Sequence, residues 1–232
     1  MTIRVMILGE GPTDVGTEDG DGNWLEGCIP QLIKKVNPQV SLEFVPIKKN
    51  SFSIVTLPKN GKKKFQGHGK NIQKLIIYSQ LRKIQYDLIA YYGDTDKESG
   101  TKNTPLQAQR ASSEAYQQAH DAFDFFQKDG FAVIPLRMLE SWLLADEQSF
   151  HITFGERISL PTHPELLWGD KHDPNSDYPK HALQRILRDL NSSSDRQTFC
   201  NLVQNIEIIT LLQKCPISFP PFYNKALELL AI

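Results

Sequence analysis

Apolar and polar positions alternate along this chain with two different periods. Residues 3–8 form a short, almost wholly apolar run ended by Gly9, the pattern of a strand buried on both faces. Residues 42–47, 87–92 and 131–136 read the same way, and residues 53–57 extend or pair with the second run. Between these runs the apolar positions step by three and four. Trp24, Leu25, Cys28, Ile29, Leu32 and Ile33 predict a helix capped by Asn23 and reaching about Val36. Ile72, Leu75, Ile76 and Leu81 predict a second helix, ending near Ile84. Ala108, Ala111, Ala115, Ala119, Ala122 and Phe126 form a stripe of mostly small side chains, which lets a long helix lie close on a sheet. Residues 138–146 read as a short helix.

Strand–helix alternation of this kind implies a mainly parallel sheet with right-handed crossovers. It stops near residue 147. Residues 153–180 are polar and rich in Pro, Asp and His; helical patterns follow at 181–190, 195–212 and 219–230. The expectation is an α/β sheet domain over residues 1–147 and a helical extension over 148–232 packed on it. No internal repeat is present.

At 232 residues the chain can bury a core without disulfide or metal staples. Cys28, Cys200 and Cys215 are odd in number and far apart, which fits neither a disulfide framework nor a zinc spacing and predicts reduced thiols. No apolar run reaches membrane-spanning length and the first residues lack an apolar leader, so a cytoplasmic protein without a membrane partner is expected. The net charge of −1 conceals a segregation. Lysines crowd residues 48–70, while acids crowd residues 10–26.

The acids have a pattern. Glu10-Gly11-Pro12-Thr13-Asp14 follows the first strand, and Asp94-Thr95-Asp96 follows the third. Parallel strands point the same way, so these tips share the edge where open α/β sheets bind ligands. Clustered carboxylates repel and call for a cation; hard oxygen donors suit Mg²⁺, and phosphodiester chemistry uses such sites. Gly, Pro and Asp are also ordinary turn residues. Both signatures at equivalent strand ends favour a site over two turns.

Glu140 follows the fourth strand at the same edge, where a helix dipole alone would also favour it. Lys62, Lys63, Lys64 and Lys70 can track a phosphate backbone, against the plainer reading of a solvated loop. Lys97 and Arg137 are further cations near the acids. Trp142, Leu143 and Leu144 read as core, and Asp146 as a cap. The glycines around Gly9 and Gly11 miss the dinucleotide spacing, and no Walker lysine is present. His163, His172 and His181 are scattered in a polar stretch and read as loop residues. Neither Ser141 nor the cysteines have a partnered base in sequence, so nucleophilic catalysis is not expected.

Taken together, Glu10-Gly-x-Thr-Asp14 after the first strand and Asp94-x-Asp96 after the third resemble the Toprim domain of topoisomerases, bacterial primases and OLD-type nucleases. The stretch Ile134-Pro-Leu-Arg-Met-Leu-Glu-Ser-Trp-Leu-Leu-Ala-Asp146 resembles a signature of small stand-alone bacterial Toprim-like proteins, some of which sit beside ATPases in phage-defence systems. Asp177-Tyr-Pro-Lys180 and Phe219-Pro-Pro-Phe222 are similar to the same group. The resemblance implies a Toprim-like α/β fold and a Mg²⁺ or Mn²⁺ site held by Glu10, Asp14, Asp94 and Asp96. It implies catalytic roles for Glu10, Asp94, Asp96 and Glu140 in hydrolysis of DNA or RNA phosphodiesters. Phage defence with a partner ATPase is part of that implication. Two alternatives stay open: a non-catalytic Toprim-like binding or sensor subunit, and a phosphotransferase or phosphatase for a small molecule.

Overall fold

The computed structural model describes residues 2–48, 51, 55, 64–95 and 104–231. Four parallel strands form the central sheet. They are β1 (Thr2–Leu8), β4 (Ser41–Ile47), β5 (Leu88–Tyr92) and β6 (Gly130–Val133), in the spatial order β4-β1-β5-β6. Val5, Met6, Ile7, Ile89 and Ala90 are wholly buried, which explains why these runs are continuously apolar: helices cover both faces. The expected parallel α/β fold flanked by helices, with further helices at the C-terminal end, is what the chain adopts.

Helix α1 (Cys28–Val36) packs with the C-terminal helices, while α2 (Gly67–Leu81) packs against α3 (Pro105–Phe126). Right-handed crossovers put these two groups on opposite faces, since the chain leaves β1 toward β4 and leaves β5 toward β6. The switch in direction makes the carboxyl ends of β1 and β5 the crevice where such sheets bind ligands. Helix α3 starts with a capping box, Thr104 and Gln107, with Pro105 in its first turn. Ala108, Ala115, Ala119 and Ala122 of the small-residue stripe are buried.

Helices α4 (Leu139–Leu143) and α5 (Glu147–Phe154) follow β6, then a 3₁₀ turn (Pro164–Leu166). Helices α6 (Pro179–Asp189), α7 (Arg196–Asn205), α8 (Ile208–Lys214) and α9 (Phe219–Leu230) complete the chain. The last helix lies on the sheet: Phe222 meets Phe131 of β6 at 6.0 Å and stacks on Trp142 at 5.9 Å between ring centroids. One apolar core therefore runs from Ile3 to Leu230. Trp142, Leu143 and Leu144 belong to it. Asp146 caps α5 by accepting from the Gln148 N–H at 2.9 Å.

Some element boundaries differ from expectation. Asn23 does not cap a helix. Residues 16–18 and 24–26 pair instead as a small antiparallel hairpin, β2 (Gly16–Glu18) and β3 (Trp24–Glu26), and α1 begins only after Gly27. Asp19 closes the hairpin loop by accepting from the N–H groups of Asp21 and Asn23 at 2.9 and 2.8 Å. The helix expected over 195–212 is two helices. It breaks at Ile206, whose backbone is extended, where the second oxygen of Asp146 takes the Glu207 N–H at 2.8 Å. Helix α5 fills residues 147–152, to which the sequence pattern assigns no element, and ends just inside the polar stretch of 153–180. The expected run at 53–57 lies almost wholly outside the described residues.

All three cysteines are free and buried. Cys28 and Cys200 face each other with their sulfurs 3.9 Å apart. No helix among the described residues is long and apolar enough to cross a membrane.

Candidate functional site

β1 and β5 are neighbours with Leu8 beside Tyr91 in register, so the residues that follow them leave the sheet side by side. Glu10 and Asp14 come from the first exit and Asp94 from the second. Glu140 arrives from the first turn of α4. Glu10 is exposed; Asp14, Asp94 and Glu140 are half-buried.

The loop carrying Asp14 is gripped by the start of α1. Gly27 donates to the Val15 carbonyl at 3.1 Å, Cys28 to Thr13 at 2.9 Å and Ile29 to Asp14 at 2.8 Å. Amide groups that a helix start leaves without helical partners thus hold the loop. The approach is close enough to require glycine: a Cβ on Gly27 would stand 2.5 Å from the Asp14 carbonyl oxygen. Within the loop, Gly11 donates to the Asp14 carboxylate at 3.0 Å.

Electrostatics ties the acids together. The Asp14 carboxyl is pushed from 3.8 up to about 7, first by burial and then by the charge of Glu140. The Gly11 hydrogen bond opposes this, while Glu10 and Asp94 add to it. Four of the five expected acids therefore share one field. Coulombic reach exceeds ligation distance: among the described residues, no group of three His, Cys, Asp or Glu stands close enough to hold a metal ion together. Asp96, the fifth acid, lies outside the described residues, as do Lys62, Lys63 and Lys97. The donors present fit Mg²⁺ in chemistry, because that ion is often held by one or two carboxylates and completed by water and substrate phosphate.

Beside the acids opens a cleft of about 350 Å³. Glu10, Asp94 and Thr95 form one wall; His68, Lys70 and Asn71 from the first turns of α2 form another. Lys70 thus reaches the site, whereas Lys64 is exposed and does not line the cleft. Arg137 is 6 % exposed and sits at φ 72. Met138 donates to the Leu136 carbonyl at 3.2 Å across it, so Arg137 centres a tight γ-turn in a conformation costly for a long side chain. Its own N–H donates to the Thr95 hydroxyl at 2.8 Å, tying the β6 exit to the residue after Asp94.

His68 and Tyr91 are the residues that sequence reasoning missed. His68 Nδ1 lies 3.0 Å from the Tyr91 hydroxyl, which also takes a hydrogen bond from Asn71 Nδ2 at 3.1 Å. In the sequence His68 is one more member of a basic stretch, and Tyr91 is one more apolar strand residue. The His68–Asn71 spacing of three, with both facing one cleft, is the only signal available.

Set against family models, curated proteins and solved structures, the chain matches none of them.

Proposed function

We propose that the acidic edge is a Mg²⁺ or Mn²⁺ site and that the protein is a Toprim-like nuclease hydrolysing phosphodiester bonds of DNA or RNA. The observation that carries this reading is the mutual charge of Asp14, Glu140, Glu10 and Asp94 at the carboxyl ends of adjacent parallel strands. Such a cluster is costly at neutral pH without a cation. A bound divalent ion would supply an activated water and neutralise charge on the phosphate. Asp94, Asp14 and Glu10 would hold it, with Asp96 as the partner the motif supplies. Glu10, the most exposed of the four, is placed to take or return a proton. Lys70 puts a positive charge on the cleft wall for the phosphate backbone. Phage defence beside a partner ATPase belongs to the same proposal and rests on the motif resemblance.

The test is cleavage of plasmid DNA, single-stranded DNA and RNA with Mg²⁺, Mn²⁺ or EDTA, beside Asp94→Ala. The expected result is metal-dependent cutting that falls roughly 10²–10³-fold or more in the variant. Undiminished cutting by Asp94→Ala would overturn the assignment. A cleft of about 350 Å³ also admits a small phosphate ester. Turnover of p-nitrophenyl phosphate that nucleic acid does not inhibit would favour that reading.

A further inference from the structure

The cleft holds a built device apart from its acids. His68 is the second residue of α2, and Asn71 lies one turn on, so both side chains meet the Tyr91 hydroxyl at the end of β5. The main chain there is anchored as well: the His68 N–H donates to Gln118 Oε1 of α3 at 3.1 Å. Gly93 supplies the clearance. A Cβ at that position would stand 2.6 Å from the Tyr91 hydroxyl oxygen and 3.1 Å from His68 Nδ1. The residue directly before Asp94 therefore has to be glycine for the ring, the phenol and the acid to share one wall.

One of the two hydrogen bonds has a fixed direction. Asn71 Nδ2 can only donate, so the Tyr91 oxygen accepts from it. Burial first, then the charges of Glu10 and Asp94, push the Tyr91 hydroxyl up to about 12, against the opposing Asn71 bond, so it keeps its proton. That proton is within reach of His68 Nδ1, 3.0 Å away, when the ring accepts there. An imidazole accepting at Nδ1 carries its own proton on Nε2.

We infer that His68 is a catalytic residue of the proposed reaction, offering Nε2–H to the phosphate oxygen on which negative charge grows, with Tyr91 and Asn71 as positioning residues. This inference rests on the phosphodiesterase reading above. Besides His68, the ionisable groups on this wall are carboxylates, which repel that charge, the Tyr91 phenol, and a single described lysine, Lys70, whose flexible point charge does not orient an oxygen. A ring held on both the main-chain and the side-chain side is a preorganised donor, and such donors contribute to the rate rather than to binding.

The experiment compares wild type, His68→Ala, His68→Gln, Tyr91→Phe and Asp94→Ala on whichever of plasmid DNA, single-stranded DNA or RNA the wild type cuts with Mg²⁺. Thermal melting of each variant serves as the control for folding. The expected result is a kcat about 10²–10³-fold lower in His68→Ala with KM nearly unchanged. His68→Gln, which keeps an amide donor near the Nε2 position, should recover at least about tenfold of that loss. Tyr91→Phe should lower kcat about 10–100-fold, as loss of an orienting partner does. A folded His68→Ala at wild-type kcat overturns the inference, and so does a folded His68→Gln no faster than His68→Ala. If His68→Ala does not fold, His68→Gln and Tyr91→Phe carry the test, and wild-type kcat in Tyr91→Phe overturns it. Cutting that is lost in Asp94→Ala but not in His68→Ala removes this inference alone, whereas a wild type that cuts nothing removes the nuclease reading and this inference with it.

Discussion

Asp14 and Glu165 are both carboxylates drawn out of water, and their surroundings differ in kind. Glu165, in the 3₁₀ turn, is 2 % exposed. It accepts from the Ile217 N–H at 2.7 Å, the Ser218 N–H at 3.1 Å and the Ser218 hydroxyl at 2.8 Å. These amides stand at the start of α9, where Pro220 and Pro221 provide no N–H. The carboxylate thus replaces a missing cap and complements the helix dipole. Ser218 in turn accepts from Trp142 Nε1 at 2.9 Å, and Tyr116 donates to the Ser218 carbonyl at 2.9 Å. Burial pushes the Glu165 carboxyl up, but the three donors pull it back. Asp14 has one such donor, Gly11, set against three like charges. The difference separates an anchor, which the fold satisfies internally, from a site, which leaves charge for something outside the chain to meet.

That contrast can be broken most forcefully at Asp14. Its pKa is 3.8 in the open and about 7 in the fold. Between those values the folded state binds the proton more tightly, so stability falls as pH rises. Above about 7 the whole penalty is present, up to about 4 kcal/mol at ~1.4 kcal/mol per unit. Asp14→Asn should therefore gain up to about that much at pH 8 and nothing below the unfolded pKa. Mg²⁺ should raise the melting temperature of the wild type at pH 8 but not at pH 4, and should do less for the variant. Urea titrations and thermal scans at the two pH values measure both effects. A gain independent of pH would mean that the acids do not share a field.

Glu165→Ala should move stability the other way, by about 3 kcal/mol or more, since it orphans two amides and a hydroxyl in the core. The measurement is the urea midpoint at pH 7, with Glu165→Gln retaining part of the loss. An unchanged midpoint would remove the anchor from the comparison.

Thr95→Val is the smallest of these changes. It removes the acceptor for the Arg137 N–H, a bond worth about 1 kcal/mol, and frees the β6 exit from the β5 exit. Its signature should be a modest loss of stability, with Thr95→Ser close to wild type.

Much of the sheet was legible from one property. Strands covered on both faces must be apolar throughout, so residues 3–8 and 87–92 announce themselves without partners. The acids were legible because a loop after a parallel strand has only one edge to reach, and β1 and β5 proved adjacent. The hairpin β2–β3 was not, because Trp24 and Leu25 suit a helical stripe as well as a strand. What decides is Trp24 packing over Gly16, where even a Cβ would stand 2.6 Å from the indole. The break between α7 and α8 depends on Asp146, some sixty residues upstream in sequence, taking the Glu207 amide.

Local pattern alone determined that this chain builds a parallel α/β sheet and that Glu10, Asp14 and Asp94 leave it at one edge. Period and strand direction are properties of neighbouring residues, and they survive without knowledge of packing. The meeting of His68 with Tyr91, the hold of Glu165 on Ser218 and the approach of Glu140 to Asp14 were decided only by the tertiary structure. Each joins side chains from separate elements, and a hydrogen bond or a shared field depends on distances of a few ångströms that no sequence spacing records.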